Sequence, residues 1–315
     1  MKARTSRQWI VPHEWMVLPM RQVEWIERKG RLVWLAEVFS ALGMGLYLVA
    51  LIAGNWWATL IGWLLIVLFK MPLHLFYLGK PLRFWRAIPP FTKAWKTSWL
   101  ARGMFFSTVF IAAGFVQLLM SYIIINGVAS GAALDGVTFV NWIASILAGV
   151  FIVLTGMYAG FAMSYCKSVP FWNTDLLPLV FLLMGVADGL ALLMGVGLVT
   201  HDVDIERLES ISRVLLIVNA LLIVVYLAHA WRRRSVAKLA ARDLLVGRTA
   251  LVFWIGIVAL GIVVPLAISF ATVFMESDIA RPLIVAIVCH TIGAFALKYA
   301  LLKAGIYKSV LPEAL

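Results

Sequence analysis

The chain has 315 residues, 63% hydrophobic and 13% charged, with a net charge of +12 and a mean hydropathy of +0.97. Repeated apolar runs of about 20 residues, each long enough to cross a bilayer as a helix, leave little chain for a soluble enzyme domain. Two cysteines, Cys166 and Cys289, are too few to hold an iron–sulfur cluster, and beside or inside apolar segments they are expected to stay reduced.

Residues 1–32 are basic and mixed, without the apolar core and small-residue cleavage site of a secretory signal. The stretch QWIVPHEWMVLPMRQVEWIERKGR alternates tryptophan with charge and is expected to lie in the membrane interface or contact a partner. Eight apolar segments follow, over 33–53, 57–77, 103–126, 140–163, 176–199, 213–231, 250–274 and 282–302. The predicted fold is all-α and polytopic, and an even number of crossings puts both termini on one side.

Lys and Arg are concentrated on that side. The N-terminal arm carries Lys2, Arg4, Arg7, Arg21, Arg28, Lys29 and Arg31, and the 78–102 connection Lys80, Arg83, Arg86, Lys93, Lys96 and Arg102. Arg232, Arg233, Arg234, Lys238, Arg242 and Arg248 follow the sixth segment, with Lys167, Lys303 and Lys308 on the same face. The other face has Arg207, Arg213 and Arg281 among Asp135, Asp202, Asp204, Glu206, Glu209, Glu276 and Asp278. The positive-inside rule makes the basic face, with both termini, cytoplasmic, which places the protein in the cytoplasmic membrane. Anionic membrane lipid and a soluble subunit account for the charge without nucleic acid. Lys80, Arg83, Arg86, Lys93, Lys96 and Arg102 form the predicted docking surface.

Charge inside a bilayer is costly, so each intramembrane ionisable group is a functional candidate. Glu37 lies roughly 6 Å into the first segment from the basic face, at 1.5 Å per residue, where a carboxylate could accept or donate protons. Asp188 sits near the middle of the fifth segment, flanked by small residues in GVADGLA. It can relay protons or pair with a lysine. Lys70 and His74, four apart, share a helical face, and Lys70 needs an internal partner, Asp188 or Glu37. Lys298 lies near enough to its exit to snorkel. Tyr158 and Ser164 close the fourth segment, Tyr158 at a depth close to that of Glu37. LGMGLYLVALIAG in the first segment is similar to MGVADGLALLMGVG in the fifth, which suggests two related halves or simply small-residue helix packing.

LHLFYLGKPLRFWRA with KTSWLARG, MYAGFAMSYCKSVPFWNTDLLPLVFLL and the closing ALKYALLKAG together resemble the polysulfide reductase membrane-subunit family, also called NrfD-like. The resemblance implies eight helices in two four-helix bundles, here 33–163 around a quinone site and 164–315 with a basic tail. It also implies a quinone-binding subunit with neither haem nor cluster of its own. Its partners would be a ferredoxin-like subunit carrying several 4Fe-4S clusters and, often, a molybdopterin catalytic subunit. The quinone, menaquinone or ubiquinone, would sit where helices 1 to 4 meet the iron–sulfur subunit. By motif, Tyr158 matches the family's helix 4 tyrosine and His74 falls in the polar stretch before LGxPxRFW. Glu37 falls, by glycine spacing, where relatives place a histidine or acid. Trp34 and Tyr77 join this candidate quinone-binding set, and Asp188 and Lys70 are candidates for a deeper proton path. Many relatives place the iron–sulfur partner outside the cytoplasmic membrane, whereas the basic face here predicts a cytoplasmic one.

Two alternatives remain from the residues. His74 with His290 or His229 could ligate a haem b, as in a membrane cytochrome. Lys70 with Asp188 could form the central site of a secondary transporter.

Overall fold

The computed structural model describes residues 18–233, 236–274 and 279–309. Lys2, Arg4, Arg7, His13, Arg234, Glu276, Asp278 and the tail after 309 lie outside the described residues. Among the described residues, eight helices are long and apolar enough to span a membrane. They are α1 (Gly30–Ala53), α2 (Trp56–Tyr77), α3 (Trp99–Ile125), α4 (Gly131–Ser164), α5 (Leu176–Thr200), α6 (Ile205–Arg232), α7 (Val252–Thr272) and α8 (Ala280–Lys303). α3, α4 and α6 start earlier than the apolar pattern predicts because Arg102, Asp135 and Glu206 with Arg207 interrupt the hydropathy near their starts without ending the helix. Ser98 caps α3 by accepting from the Ala101 N–H at 3.4 Å, and Asp204 caps α6 by accepting from the Arg207 N–H at 3.0 Å.

Two helices are not regular. In α2 the turn Leu65–Lys70 is π-helical, with the Met71 N–H reaching back five residues to the Ile66 carbonyl. In α7 the π-helical stretch is Val252–Val263. Each ends two residues before a proline, Pro72 or Pro265, whose ring lacks an N–H and crowds the carbonyl four residues earlier. A wider turn relieves that conflict and rotates the following side chains relative to a straight helix.

α1 and α5 are central: 67% of the apolar window of each is buried, against 17% for α4 and 22% for α3. They cross where Gly45 meets the backbone of Gly185 and Gly189 so closely that a Cβ at Gly45 would overlap the Gly185 carbonyl. The two glycine-rich stretches that resemble each other in sequence are thus packed on each other. α1 to α4 close a ring, each touching two neighbours, and α5 to α8 do the same; α1 also contacts α5 and α8, and α4 contacts α5.

On the basic face the described part of the N-terminal arm packs on the chain's own C-terminal end. Strand β1 (Met20–Arg21) pairs antiparallel with β2 (Ile306–Tyr307). The buried Gln22 amide donates to the Leu302 carbonyl, and Arg21 pairs with Asp243 at 2.9 Å. Trp172, 1% exposed, donates to the Leu301 carbonyl at 2.8 Å and lies 5.3 Å from Trp25. Lys303, hydrogen-bonded to Glu27 at 2.6 Å, holds that carboxyl below its ordinary value of 4.5. This tie acts fully above the ordinary value and is lost as the pH falls through the lowered one.

Gly45→Val should drive α1 and α5 apart and destabilise the chain by roughly 1–3 kcal/mol or more. Gly136→Val, where a Cβ meets open space, should have little effect. Thermal melting in detergent checks this, and equal losses from both variants would contradict the crossing.

Candidate functional site

Four helices bring polar side chains together near the basic end of the α1–α4 half. Glu37 of α1, His74 of α2 and Tyr158 of α4 are 4%, 5% and 3% exposed. The Tyr158 hydroxyl donates to Glu37 Oε1 at 3.2 Å and lies 3.1 Å from His74 Nε2. A phenol has one proton: given to Glu37, it leaves the phenol oxygen to accept from a His74 ring N–H. Tyr158 thus bonds Glu37 directly, and His74 sets both of its ring nitrogens, Nδ1 at 3.3 Å and Nε2 at 3.1 Å, beside the same hydroxyl. Gly103 of α3 makes room for it, since a Cβ there would sit 2.6 Å from Cγ of the Tyr158 ring.

Lys70 and Ser107 complete the floor. Lys70, 1% exposed, donates to the Ser107 hydroxyl at 2.5 Å, and its ammonium lies 5.0 Å from the centre of the Tyr158 ring. Ser107 in turn donates to the Gly103 carbonyl at 2.8 Å. The immediate partner of Lys70 is this hydroxyl; Glu37 lies within its electrostatic reach. Ser107 is invisible to sequence reasoning because a serine in an apolar helix ordinarily bonds only its own backbone.

Glu37 Oε2 is buried with no hydrogen-bond partner among the described residues. A buried carboxylate oxygen without a donor is costly, so this atom points to a ligand bearing a hydroxyl or an equivalent polar group. The cluster offers an acceptor oxygen beside a phenol and an imidazole, polar groups that could meet a ring hydroxyl or carbonyl. With its members this buried, the cluster admits a headgroup only when side chains around it move aside.

The structure leaves other candidates elsewhere. Trp34 faces α8, donating to the Phe295 carbonyl at 3.0 Å and packing on Tyr299. Tyr77 is half-buried at the end of α2, within electrostatic reach of Glu24. Asp188 is not joined to Lys70; its contact is His290, with Oδ1 and Nε2 3.0 Å apart. Lys298 does not snorkel: it is 3% exposed, its ammonium 3.1 Å from the centre of the Phe181 ring. Of the histidines considered for haem, His74 faces Tyr158, His290 faces Asp188 and His229 is exposed. An apolar groove of about 590 Å³ between α3 and α4 is lined by Phe105, Thr108, Ala112, Val140 and Leu147, among others. The Thr108 hydroxyl is committed to the Met104 carbonyl at 2.8 Å. The groove suits a hydrocarbon tail but not a headgroup.

Residues 49–309 match the family described as polysulphide reductase, NrfD. The chain belongs to that family. Over 166 residues it is 28% identical to the C subunit of polysulfide reductase from Wolinella succinogenes, covering 51% of this chain and 52% of that protein. Over 158 residues it is 27% identical to the protein NrfD homolog of Haemophilus influenzae, covering 48% of each. The chain thus spans about half the length of the relatives it matches.

In this NrfD-family chain the 78–98 connection carries Lys80, Arg83, Arg86, Lys93 and Lys96 exposed, alongside Leu82 at 89%, Phe91 at 75% and Trp85 at 57% exposure. Arg102 differs from the other five. It donates to the Trp95 and Lys96 carbonyls at 3.0 and 2.8 Å and stacks 4.5 Å from Trp99, so it builds the loop. Arg102→Ala should lower the melting temperature, losing about 1–2 kcal/mol of hydrogen bonding and stacking. Arg83→Ala should stay within about 0.5 kcal/mol. Equal melting of the two variants would contradict a structural role for Arg102.

Proposed function

We propose that this chain is the quinone-reactive membrane subunit of a respiratory oxidoreductase complex. It exchanges electrons between an iron–sulfur partner subunit docked on the basic face and the membrane quinone pool, with proton uptake or release at Glu37. The observation that carries this reading is the orphaned Glu37 Oε2 beside a phenol that donates to the same carboxyl and an imidazole next to that phenol. Menaquinone or ubiquinone, when bound, supplies two-electron, two-proton redox chemistry.

The chain's own groups hold and move protons. Glu37 is the acceptor or donor at the reacting oxygen, with Tyr158 fixing its other carboxylate oxygen and His74 supplying or taking the phenol's proton. Lys70 offsets negative charge at the cluster and is itself held by Ser107. The 33–163 half is the quinone-site unit and 164–315 its counterpart. Lys80, Arg83, Arg86, Lys93 and Lys96, interleaved with exposed Leu82, Trp85 and Phe91, make a basic and apolar surface for a ferredoxin-like subunit with 4Fe-4S clusters. A molybdopterin catalytic subunit would complete the complex. The relative from Wolinella succinogenes, named as one component of polysulfide reductase, is consistent with such an assembly. The positive-inside rule puts the basic face and both termini in the cytoplasm.

Glu37→Gln keeps the shape of the site but removes its titrating group. Quinone-coupled turnover of the purified complex should fall about 100-fold or more, while the subunits still copurify. Wild-type turnover in this variant would contradict the assignment, and so would a haem absorption band in the complex.

A further inference from the structure

A second groove, at the acidic end of the molecule, lies apart from the Glu37 cluster. It holds about 410 Å³ between the ends of α1 and α5 and the start of α6. Its walls include Val49, Ile52, Val186, Leu190 and Ile211, and its charged lining is Asp202, Asp204 and Arg207. We propose that this groove binds one phospholipid whose headgroup carries both a phosphate and a primary ammonium, a phosphatidylethanolamine. Arg207 takes the phosphate, Asp202 and Asp204 take the ammonium, and an acyl chain lies along α5.

The rim of the groove is held by the chain itself. Asn55, buried before α2, accepts from the Ala58 N–H at 2.7 Å and donates to Asp202 Oδ1 at 2.9 Å. The Thr200 hydroxyl donates to that same oxygen. The α1–α2 turn is thereby tied to the α5–α6 turn, and the Asp202 carboxylate is fixed in one orientation. Asp204 Oδ1 is committed to the Arg207 backbone N–H. Among the described residues nothing donates to Oδ2 of either aspartate. Nor does the Arg207 guanidinium meet a carboxylate among them, although two line the same groove. An arginine and two carboxylates that share a groove without pairing are arranged for a molecule that carries both signs.

The charges also choose among headgroups. A phosphate offers the planar guanidinium two oxygens for parallel hydrogen bonds. A primary ammonium brings three N–H donors to the open carboxylate oxygens, as a lysine does. A choline brings none and is ordinarily held by aromatic rings, and no aromatic side chain is among the described residues that line the groove. An anionic headgroup without an ammonium would meet Asp202, Asp204 and the exposed Glu206, with Arg207 alone to offset them. Like charges set side by side disfavour it.

Depth fits a lipid as well. At 1.5 Å per residue Leu190 and Val186 lie about 15 and 21 Å from the Thr200 end of α5. One leaflet of the hydrocarbon core is about 15 Å deep. The apolar wall thus runs the depth of a leaflet, with the charges at its mouth. Val49 and Ile52 belong to the first half of the chain and Leu190 and Ile211 to the second, so the lipid fills the seam between them. The larger groove between α3 and α4 has no charged residue in its described lining and makes no such choice of headgroup.

The test uses the full chain, with any subunits that copurify, delipidated in mild detergent. Native mass spectrometry with dioleoyl phosphatidylethanolamine, phosphatidylcholine or phosphatidylglycerol should show one ethanolamine lipid bound at least tenfold more tightly than either of the others. Arg207→Gln should cost at least tenfold in that affinity. Asp202→Asn combined with Asp204→Asn, which keeps an acceptor oxygen at the rim and a cap on α6, should turn the preference toward the glycerol lipid. Asp135→Asn, at an exposed residue of the same face, should change nothing. Equal affinity for the three lipids, or an unaltered ethanolamine preference in Arg207→Gln, overturns the site. Location is read without any variant. An ethanolamine lipid with a photoreactive diazirine in its acyl chain should label peptides within 186–211, and excess unmodified lipid, but not excess quinone, should remove the label. Label confined to α3 and α4, or removed by quinone, overturns the proposal. So does label that appears only after copurifying subunits are stripped away, which marks the groove as a subunit contact.

Discussion

The close crossing of α1 and α5 is the constraint on which the rest of the structure depends. Without hydrophobic drive between helices in lipid, association rests on van der Waals contact and on polar pairs, and small residues allow the closest approach. Gly45, Gly185 and Gly189 remove the side chains that would hold the two backbones apart. Glu37 and Asp188 ride on these two helices, one toward the basic face and one deeper. Both are thereby kept away from lipid, where an unpaired carboxylate would be prohibitive.

Around that pair, two prolines shape the chemistry. Pro72 in α2 and Pro265 in α7 each follow a π-helical stretch. In α2 the wide turn ends at Lys70 and leads into His74, so both side chains point at Tyr158 and neither at lipid. In α7 the proline leaves the Gly261 carbonyl short of its helical donor, and His290 of α8 fills the gap. Local departures from the regular helix thus set which ionisable side chains meet, and which ring nitrogen carries a hydrogen.

The fold is largely legible in the sequence, because eight apolar runs of bilayer length and an uneven distribution of Lys and Arg leave few other arrangements. Burial of Glu37, His74 and Tyr158 on three different helices follows from depth and motif. Their direct contact does not, because it depends on the π-helical turn and on the space at Gly103. Lys298 departs from expectation for a related reason: distance from a helix end suggests snorkelling, whereas its ammonium is held inside over the neighbouring Phe181 ring. Arg102 looks like its basic neighbours in the loop, and only its backbone partners separate it from them. Ser107 carries no signal beyond being polar.

The central claim is that a quinone headgroup binds at Glu37, His74 and Tyr158. Photolabelling of the purified complex with an azido-quinone, followed by peptide mapping, tests it most directly. The account predicts label on peptides of α1, α2 and α4 around those three residues, competed away by unmodified quinone. Competable label confined to the α3–α4 groove around Ala112 and Val140, or to α5–α8, would contradict it.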